Sequence, residues 1–279
     1  MIVAFVLAAA SWSDAGPNDK VALRPAADAA IVGIGIAGWV VPELLKQHFA
    51  PARCNLCDGD DNSGLPGTGS PGSLNGVDAF FHDQLSGWLV SRKTADTVSS
   101  IWAFALLPAG AIAGALSATG PHASDGAGLR AVVIVAESAA VSSVLVQAVK
   151  FAAARKRPFV RYGHGEESGA YDVNDRDSHA GYPSGHTSFA TSLGVSVAMT
   201  ATLEESPAAP WLWGAAAAMS VTTATLRMMA EKHYFTDVAT GAALGAACGV
   251  VIPLLHKRGN ALSVSAQTSA PMVGFAGAF

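Results

Sequence analysis

Residues 238–255 read VATGAALGAACGVVIPLL, an apolar run without a charged side chain. Gly241, Gly245 and Gly249 recur in it at four-residue spacing, which on a helix places them along one face and opens a groove for a neighbouring backbone. The run therefore predicts a helix packed closely on another helix. Its length also approaches the roughly 20 residues that cross a bilayer. Working outward, five more apolar stretches of similar character appear at Ala29–Leu45, Ile101–Ala118, Ala131–Val149, Thr187–Leu203 and Ala208–Leu226, the first interrupted near its end by Pro42 and Glu43. The expected fold is all-α, a bundle of five to six mostly transmembrane helices with the functional site at one end, in a single domain over residues 26–256. Buried helices of a soluble all-α protein are the alternative reading of the same pattern.

Composition supports the lipid reading. Of the 279 residues 51% are hydrophobic and 14% charged, against about 25% charged in ordinary soluble domains, and mean hydropathy is +0.35. Ala, Gly and Val carry the excess, so each span is individually weak. A net charge of -4 with no basic stripe gives no footprint for nucleic acid, and no protein partner is expected. Ile2–Ala10 followed by small residues to Ala15 resembles the core and cleavage zone of a secretory signal without its basic start, so residues 1–15 are a possible signal peptide. Residues 50–98 form a polar connection that becomes amphipathic, with Phe80, Phe81, Leu85 and Trp88 at helical spacing. Residues 257–279 read as a short hairpin or a loose tail. Cys54 and Cys57 lie in a Gly/Pro/Asp-rich loop, and Cys248 sits within the last helix.

Three polar segments sit at the ends of these stretches. Lys150 to Pro158 reads KFAAARKRP and closes the third stretch with Lys150, Arg155, Lys156 and Arg157. Alone it is an ordinary basic end to a membrane helix. Tyr182 to Ser188 reads YPSGHTS and opens the fourth stretch. A helix start offers unpaired N–H groups and a positive dipole end to an anion, and Ser184 adds a hydroxyl; alone it is a helix cap. Arg227 to Asp237 reads RMMAEKHYFTD and joins the fifth and sixth stretches. There the Asp237 carboxylate can accept a hydrogen bond from His233 four residues earlier, leaving the other ring nitrogen free as a nucleophile; alone, Asp237 caps the last helix and His233 is a surface residue. Alternation of helix direction puts all three segments on one side of the bundle. That face gathers Lys150, Arg157, Arg227, His186, His233, Ser184 and Asp237, a constellation suited to a phosphate group.

The set K-x6-R-P, P-S-G-H and R-x5-H-x3-D, in this order, resembles the three-part signature of the type 2 phosphatidic acid phosphatase superfamily, which includes lipid phosphate phosphatases, class A acid phosphatases and vanadium haloperoxidases. The signature covers residues 150–237. The resemblance implies a phosphohydrolase that needs no metal and no cofactor and cleaves phosphate monoesters or pyrophosphates, of a lipid or a small ester. It implies that Lys150, Arg157 and Arg227 hold the phosphoryl oxygens, with Ser184 and the Gly185 N–H adding hydrogen bonds. His186 would protonate the leaving oxygen, and His233, oriented by Asp237, would form a phosphohistidine. Leu226 stands where the family often has Ser, removing one possible phosphate contact.

Six spans from a cytoplasmic N-terminus, or five after a cleaved signal, place the site on the extracytoplasmic, periplasmic face of a bacterial-type inner membrane, in agreement with the family's lipid phosphatases. Six spans after a cleaved signal would turn it inward. In the periplasm Cys54 and Cys57 are expected to form a local disulfide. A soluble periplasmic acid phosphatase of broad specificity and a vanadium haloperoxidase are the alternatives. Between the first two motifs, residues 159–181 insert His164, Glu166, Glu167, Tyr171 and Asp172, a loop placed to select the head group.

Overall fold

The computed structural model describes residues 15–51, 54–56, 74–120, 123–165 and 176–259. Its elements are α1 (Pro25–Leu44), α2 (Lys46–Phe49), α3 (Gly76–Leu85), α4 (Arg92–Ile101), α5 (Leu107–Ser117), α6 (Ala127–Ala153), α7 (Pro158–Arg161), α8 (Gly185–Leu203), α9 (Ala209–Met229) and α10 (Phe235–Leu255). A π-helical turn at Trp102–Leu106 joins α4 to α5, and a 3-10 turn at Arg176–His179 precedes α8. Among the described residues the fold is all-helical, with one isolated bridge between Val21 and Lys257.

All six apolar stretches are helices. Four helical segments are long and apolar enough to cross a membrane: Pro25–Leu44, Arg92–Ser117, Ala127–Arg161 and Phe235–Leu255. The other two stretches became α8 and α9. In α8, Ser188, Thr191, Ser192, Ser196 and Thr200 are buried against neighbouring helices, which lowers its hydropathy while its surroundings remain protein. The second of the four begins nine residues before the apolar run at Ile101, because Ser91 caps the helix by accepting a hydrogen bond from the Thr94 N–H at 3.2 Å. Trp88 falls beyond the end of α3, in the connection to α4, so the amphipathic helix is shorter than its periodicity suggested.

The glycine face of α10 packs on α8. A Cβ at Gly241 would lie 2.5 Å from the Ser184 carbonyl oxygen and one at Gly245 2.3 Å from that of Ser188. At Gly249 it would meet the Val195 Cβ at 2.8 Å. Each approach excludes any larger residue without a shift of backbone. On its other side α8 is joined to α6 by hydroxyl pairs, Ser142 with Ser188 at 2.7 Å and Ser138 with Ser196 at 2.9 Å. Leu107, Val132, Val135, Leu193 and Val197 complete the apolar core between α5, α6 and α8.

The parity argument holds at the backbone. Where α6 ends, Ala154 adopts a left-handed conformation with φ 46, and the chain turns across the bundle end. The Gly181 N–H then donates to the Arg155 carbonyl at 2.9 Å, that of Ser184 to Asp237 at 2.9 Å and that of Phe159 to Glu231 at 3.1 Å. All three signature segments are thus joined by main-chain hydrogen bonds. Cys54 is disulfide-bonded, and Cys248 is free and buried. Cys57, the first 14 residues of the possible signal at 1–15, Glu166, Glu167, Tyr171, Asp172 and the tail beyond Gly259 lie outside the described residues.

Candidate active site

His233 is 2% exposed in the turn between α9 and α10. Its Nδ1 is 2.6 Å from the Gly181 carbonyl oxygen. A carbonyl only accepts, so Nδ1 carries the proton and Nε2 keeps its lone pair. Nε2 faces Arg157 Nη1 at 3.4 Å. Here the geometry departs from the sequence expectation in its partner. Asp237 Oδ2 is 3.8 Å from Nδ1, beyond hydrogen-bond reach. Its carboxylate accepts from the Tyr234 N–H at 2.8 Å and from Arg155 Nη1 at 2.6 Å.

Arg155 was not singled out by its sequence context, yet it is the hub beneath the histidine. It donates to Asp237, to Thr236 Oγ1 at 2.8 Å and to Asp78 Oδ2 at 2.8 Å, and it lies over the Tyr234 ring at 4.4 Å. Asp78, fully buried in α3, also accepts from the Thr236 N–H at 2.8 Å. The only sequence signal for this network was the density of cations in Lys150–Arg157, which left open which of them bind ligand and which bind protein.

The two expected phosphate-binding arginines are held by carboxylates. Arg157 directs Nη2 to Asp177 Oδ1 at 3.1 Å, its Nε to the Asp177 carbonyl at 2.9 Å and Nη1 to the Lys232 carbonyl at 3.1 Å. Arg227 donates to Asp96 at 2.6 Å and to Ser99 Oγ at 2.9 Å. Lys150 Nζ lies 3.4 Å from where a Cβ on Gly185 would stand, so that glycine lets the ammonium reach the start of α8. Ser184 caps α8, its hydroxyl 3.0 Å from Thr187 Oγ1 and 3.4 Å from the Thr187 N–H.

His186 occupies the first turn of α8. Its ring meets Phe104 edge-on at 4.7 Å, and among the described residues its buried Nε2 has no hydrogen-bond partner. Burial, reinforced by Arg227, Lys150 and Arg157, holds this imidazole well below the ordinary histidine range. Burial and the same three cations do the same to His233. Both rings are therefore neutral at neutral pH, and both feel Lys150, Arg157 and Arg227. Asp177 is driven the other way: burial raises it, but Arg157, Lys46 and Lys150 outweigh burial and keep its carboxyl far below the usual carboxylate range.

Two further groups had no sequence signal. Lys232 is 2% exposed, lies over the Phe159 ring at 4.9 Å and faces Asp96 Oδ2 at 3.5 Å; burial brings its ammonium down to about 7. Glu231, left-handed at φ 53 and fully buried, accepts from His82 Nε2 at 2.9 Å and His164 Nδ1 at 2.9 Å and forms an ion pair with the Arg92 guanidinium at 3.1 Å. Burial opposes ionisation there, yet the hydrogen bonds from His82, Ser86 and His164 prevail and set its carboxyl at about 2. His164, flagged as part of the insertion, is thus a support of the α9–α10 turn.

A helical, membrane-compatible chain that gathers neutral imidazoles and paired cations at one bundle end is a candidate oxyanion-processing enzyme. Residues 131–260 are a PAP2 superfamily domain. The superfamily implies a phosphatase-type hydrolase, and its members are generally metal-independent. Neither a curated protein nor a solved structure matches the chain.

Proposed function

We propose that the protein hydrolyses phosphate monoesters or pyrophosphates of a lipid through a phosphohistidine on His233. The observation that carries this reading is the hydrogen bond from His233 Nδ1 to the Gly181 carbonyl at 2.6 Å, with Nε2 turned to Arg157 at 3.4 Å. It leaves a neutral nucleophile aimed at a guanidinium that would hold the phosphoryl oxygens. In this reading Lys150, Arg157 and Arg227 bind those oxygens, assisted by Ser184 and the Gly185 N–H. His233 Nε2 forms the N–P bond as the P–O bond to the leaving group breaks, and His186 gives that oxygen its proton. Water, deprotonated by His186, then attacks the phosphohistidine and releases phosphate. The arriving dianion offsets the cations that depress His186, so the acid gains its proton when substrate is bound. Asp237 acts through Arg155 and the Tyr234 N–H to hold the turn that carries His233.

A lipid substrate is favoured by an apolar cavity of about 570 Å³ between α1, α5, α6 and α8, lined by Ile36, Trp39, Val40, Ala111, Val132 and Phe189 among others. Trp39 and Phe189 each lie within 6 Å of Phe104 or of one another, with centroid separations of 5.9, 5.7 and 5.8 Å, and Phe104 touches His186. A hydrocarbon chain in the cavity would end one aromatic ring from the acid. The site is assigned to the extracytoplasmic face of a bacterial-type inner membrane, consistent with the disulfide at Cys54.

Protein denatured in alkaline detergent after incubation with a 32P-labelled lipid phosphate should carry label that is stable to alkali and lost in acid, and that is absent in His233→Ala. Folded wild-type protein that turns over substrate without labelled histidine would overturn the mechanism. A preference for short soluble esters over lipid phosphates would instead favour the broad-specificity acid phosphatase.

A further inference from the structure

The geometry points to a second, non-catalytic site: Asp28, Glu137 and His256 form a three-ligand cage for a divalent transition-metal cation of the zinc class, at the opposite end of the bundle from His233. Asp28 comes from the start of α1, Glu137 from the middle of α6 and His256 from the residue that follows α10. Along α10 the separation of His256 from Asp237 amounts to about 28 Å, at about 1.5 Å per residue. The reaction proposed above does not involve it.

The three side chains are 0%, 2% and 3% exposed for Asp28, Glu137 and His256. One ligand atom from each lies within 4.8 Å of the others. His256 Nε2 stands 3.4 Å from Asp28 Oδ1 and 3.2 Å from Glu137 Oε2. Ligands about 2.0–2.1 Å from a tetrahedral metal are about 3.3–3.4 Å apart, so these edges already suit a metal. Among the described residues, the same three atoms, Asp28 Oδ1, Glu137 Oε2 and His256 Nε2, are buried without a well-formed hydrogen bond.

The surroundings fit as well. His256 Nδ1 lies 2.9 Å from the Ile252 carbonyl oxygen, which places the proton there and turns the Nε2 lone pair toward the carboxylates. A backbone carbonyl in this position is what orients metal-binding imidazoles. Asp28 Oδ2 accepts from the Arg24 N–H at 2.6 Å, leaving Oδ1 for the cage. Val21, Ile134 and Ile252 pack as an apolar cluster, the last two on α6 and α10. Buried charges are paired or bind metals. Two carboxylates with an imidazolium leave one negative charge, faced by the half-exposed Arg24 guanidinium at 3.9 Å; with a neutral imidazole and a divalent cation the charge is zero. An imidazole among the ligands favours zinc-class ions over magnesium or calcium.

The test uses the full-length chain in detergent, stripped with chelator and equilibrated with Zn²⁺ alone. Metal content should reach one equivalent per chain, Co²⁺ should give the visible absorption of a low-coordinate site, and Zn²⁺ should raise the unfolding temperature. His186→Gln should bind as wild type does. Glu137→Gln and the triple Asp28→Asn/Glu137→Gln/His256→Gln should bind at least tenfold more weakly while still hydrolysing p-nitrophenyl phosphate. Two results would overturn the proposal: wild-type protein that takes up no Zn²⁺ and shows no thermal shift, in which case the triad is a metal-free ion cluster, or variants that bind Zn²⁺ as wild type does. Wild-type measurements decide the matter even if the variants do not fold, and loss of phosphatase activity in His233→Ala bears on the other site alone.

Discussion

Asp237 Oδ1 and Arg155 Nη1 form a buried ion pair at 2.6 Å, directly behind a histidine whose own hydrogen bond runs to a backbone carbonyl. The carboxylate thus holds the turn, while Gly181 holds the ring. These two duties should separate under mutation.

Asp237→Asn should keep measurable turnover, because the Nδ1 proton and the aim of Nε2 survive, whereas His233→Ala should have none. Removing one partner of a buried pair costs about 3–5 kcal/mol, so the asparagine variant should also unfold at lower temperature. Steady-state rates beside a thermal melt check this; a folded Asp237→Asn as inactive as His233→Ala would return the tautomer to the carboxylate.

His186→Gln should slow turnover by about 10²–10⁴-fold, and the loss should depend on the leaving group. Alkyl phosphates need the proton, while p-nitrophenolate leaves without it. The ratio of kcat/KM for the two substrates should widen in the variant, and an unchanged ratio would remove His186 from the acid's role.

Much of the bundle was legible. Gly241, Gly245 and Gly249 announced a close helix contact, and alternation of the six stretches brought Lys150, His186 and His233 to one end. The carboxylates Asp78, Asp96, Asp177 and Glu231 were not legible, because each lies far along the chain from the cation it meets. Arg155 and Lys232 were hidden for a related reason: spacing shows that cations are dense, not which of them face protein. Boundaries also slipped where a cap overruled hydropathy, as Ser91 did for α4.

With both imidazoles held below 6.5 by burial and by Arg157, Arg227 and Lys150, the unfolded chain binds more protons than the folded one as pH falls through that value. Stability is therefore full above about 6.5 and declines below it. Unfolding temperatures measured from pH 8 to 5 should fall on the acid side, and the fall should shrink in His186→Gln. The nucleophile's acid limb in kcat/KM should likewise lie below 6.5.

Gly245→Val should disrupt the α8–α10 contact, since even a Cβ would stand 2.3 Å from the Ser188 carbonyl oxygen. Overpacking of this kind costs about 1–3 kcal/mol or more. The same change at Gly214, where a Cβ meets nothing within 4 Å, should be nearly silent in a thermal melt, and equal effects at the two positions would contradict the packing described.

The pairing of Arg157 with Asp177 and of Arg227 with Asp96 has a bearing on product release. A pocket of bare cations would hold inorganic phosphate tenaciously and stall after each cycle. In the reaction proposed above, a departing oxyanion would meet a resident competitor beside each arginine it vacates, trading some grip on the ligand for ready emptying.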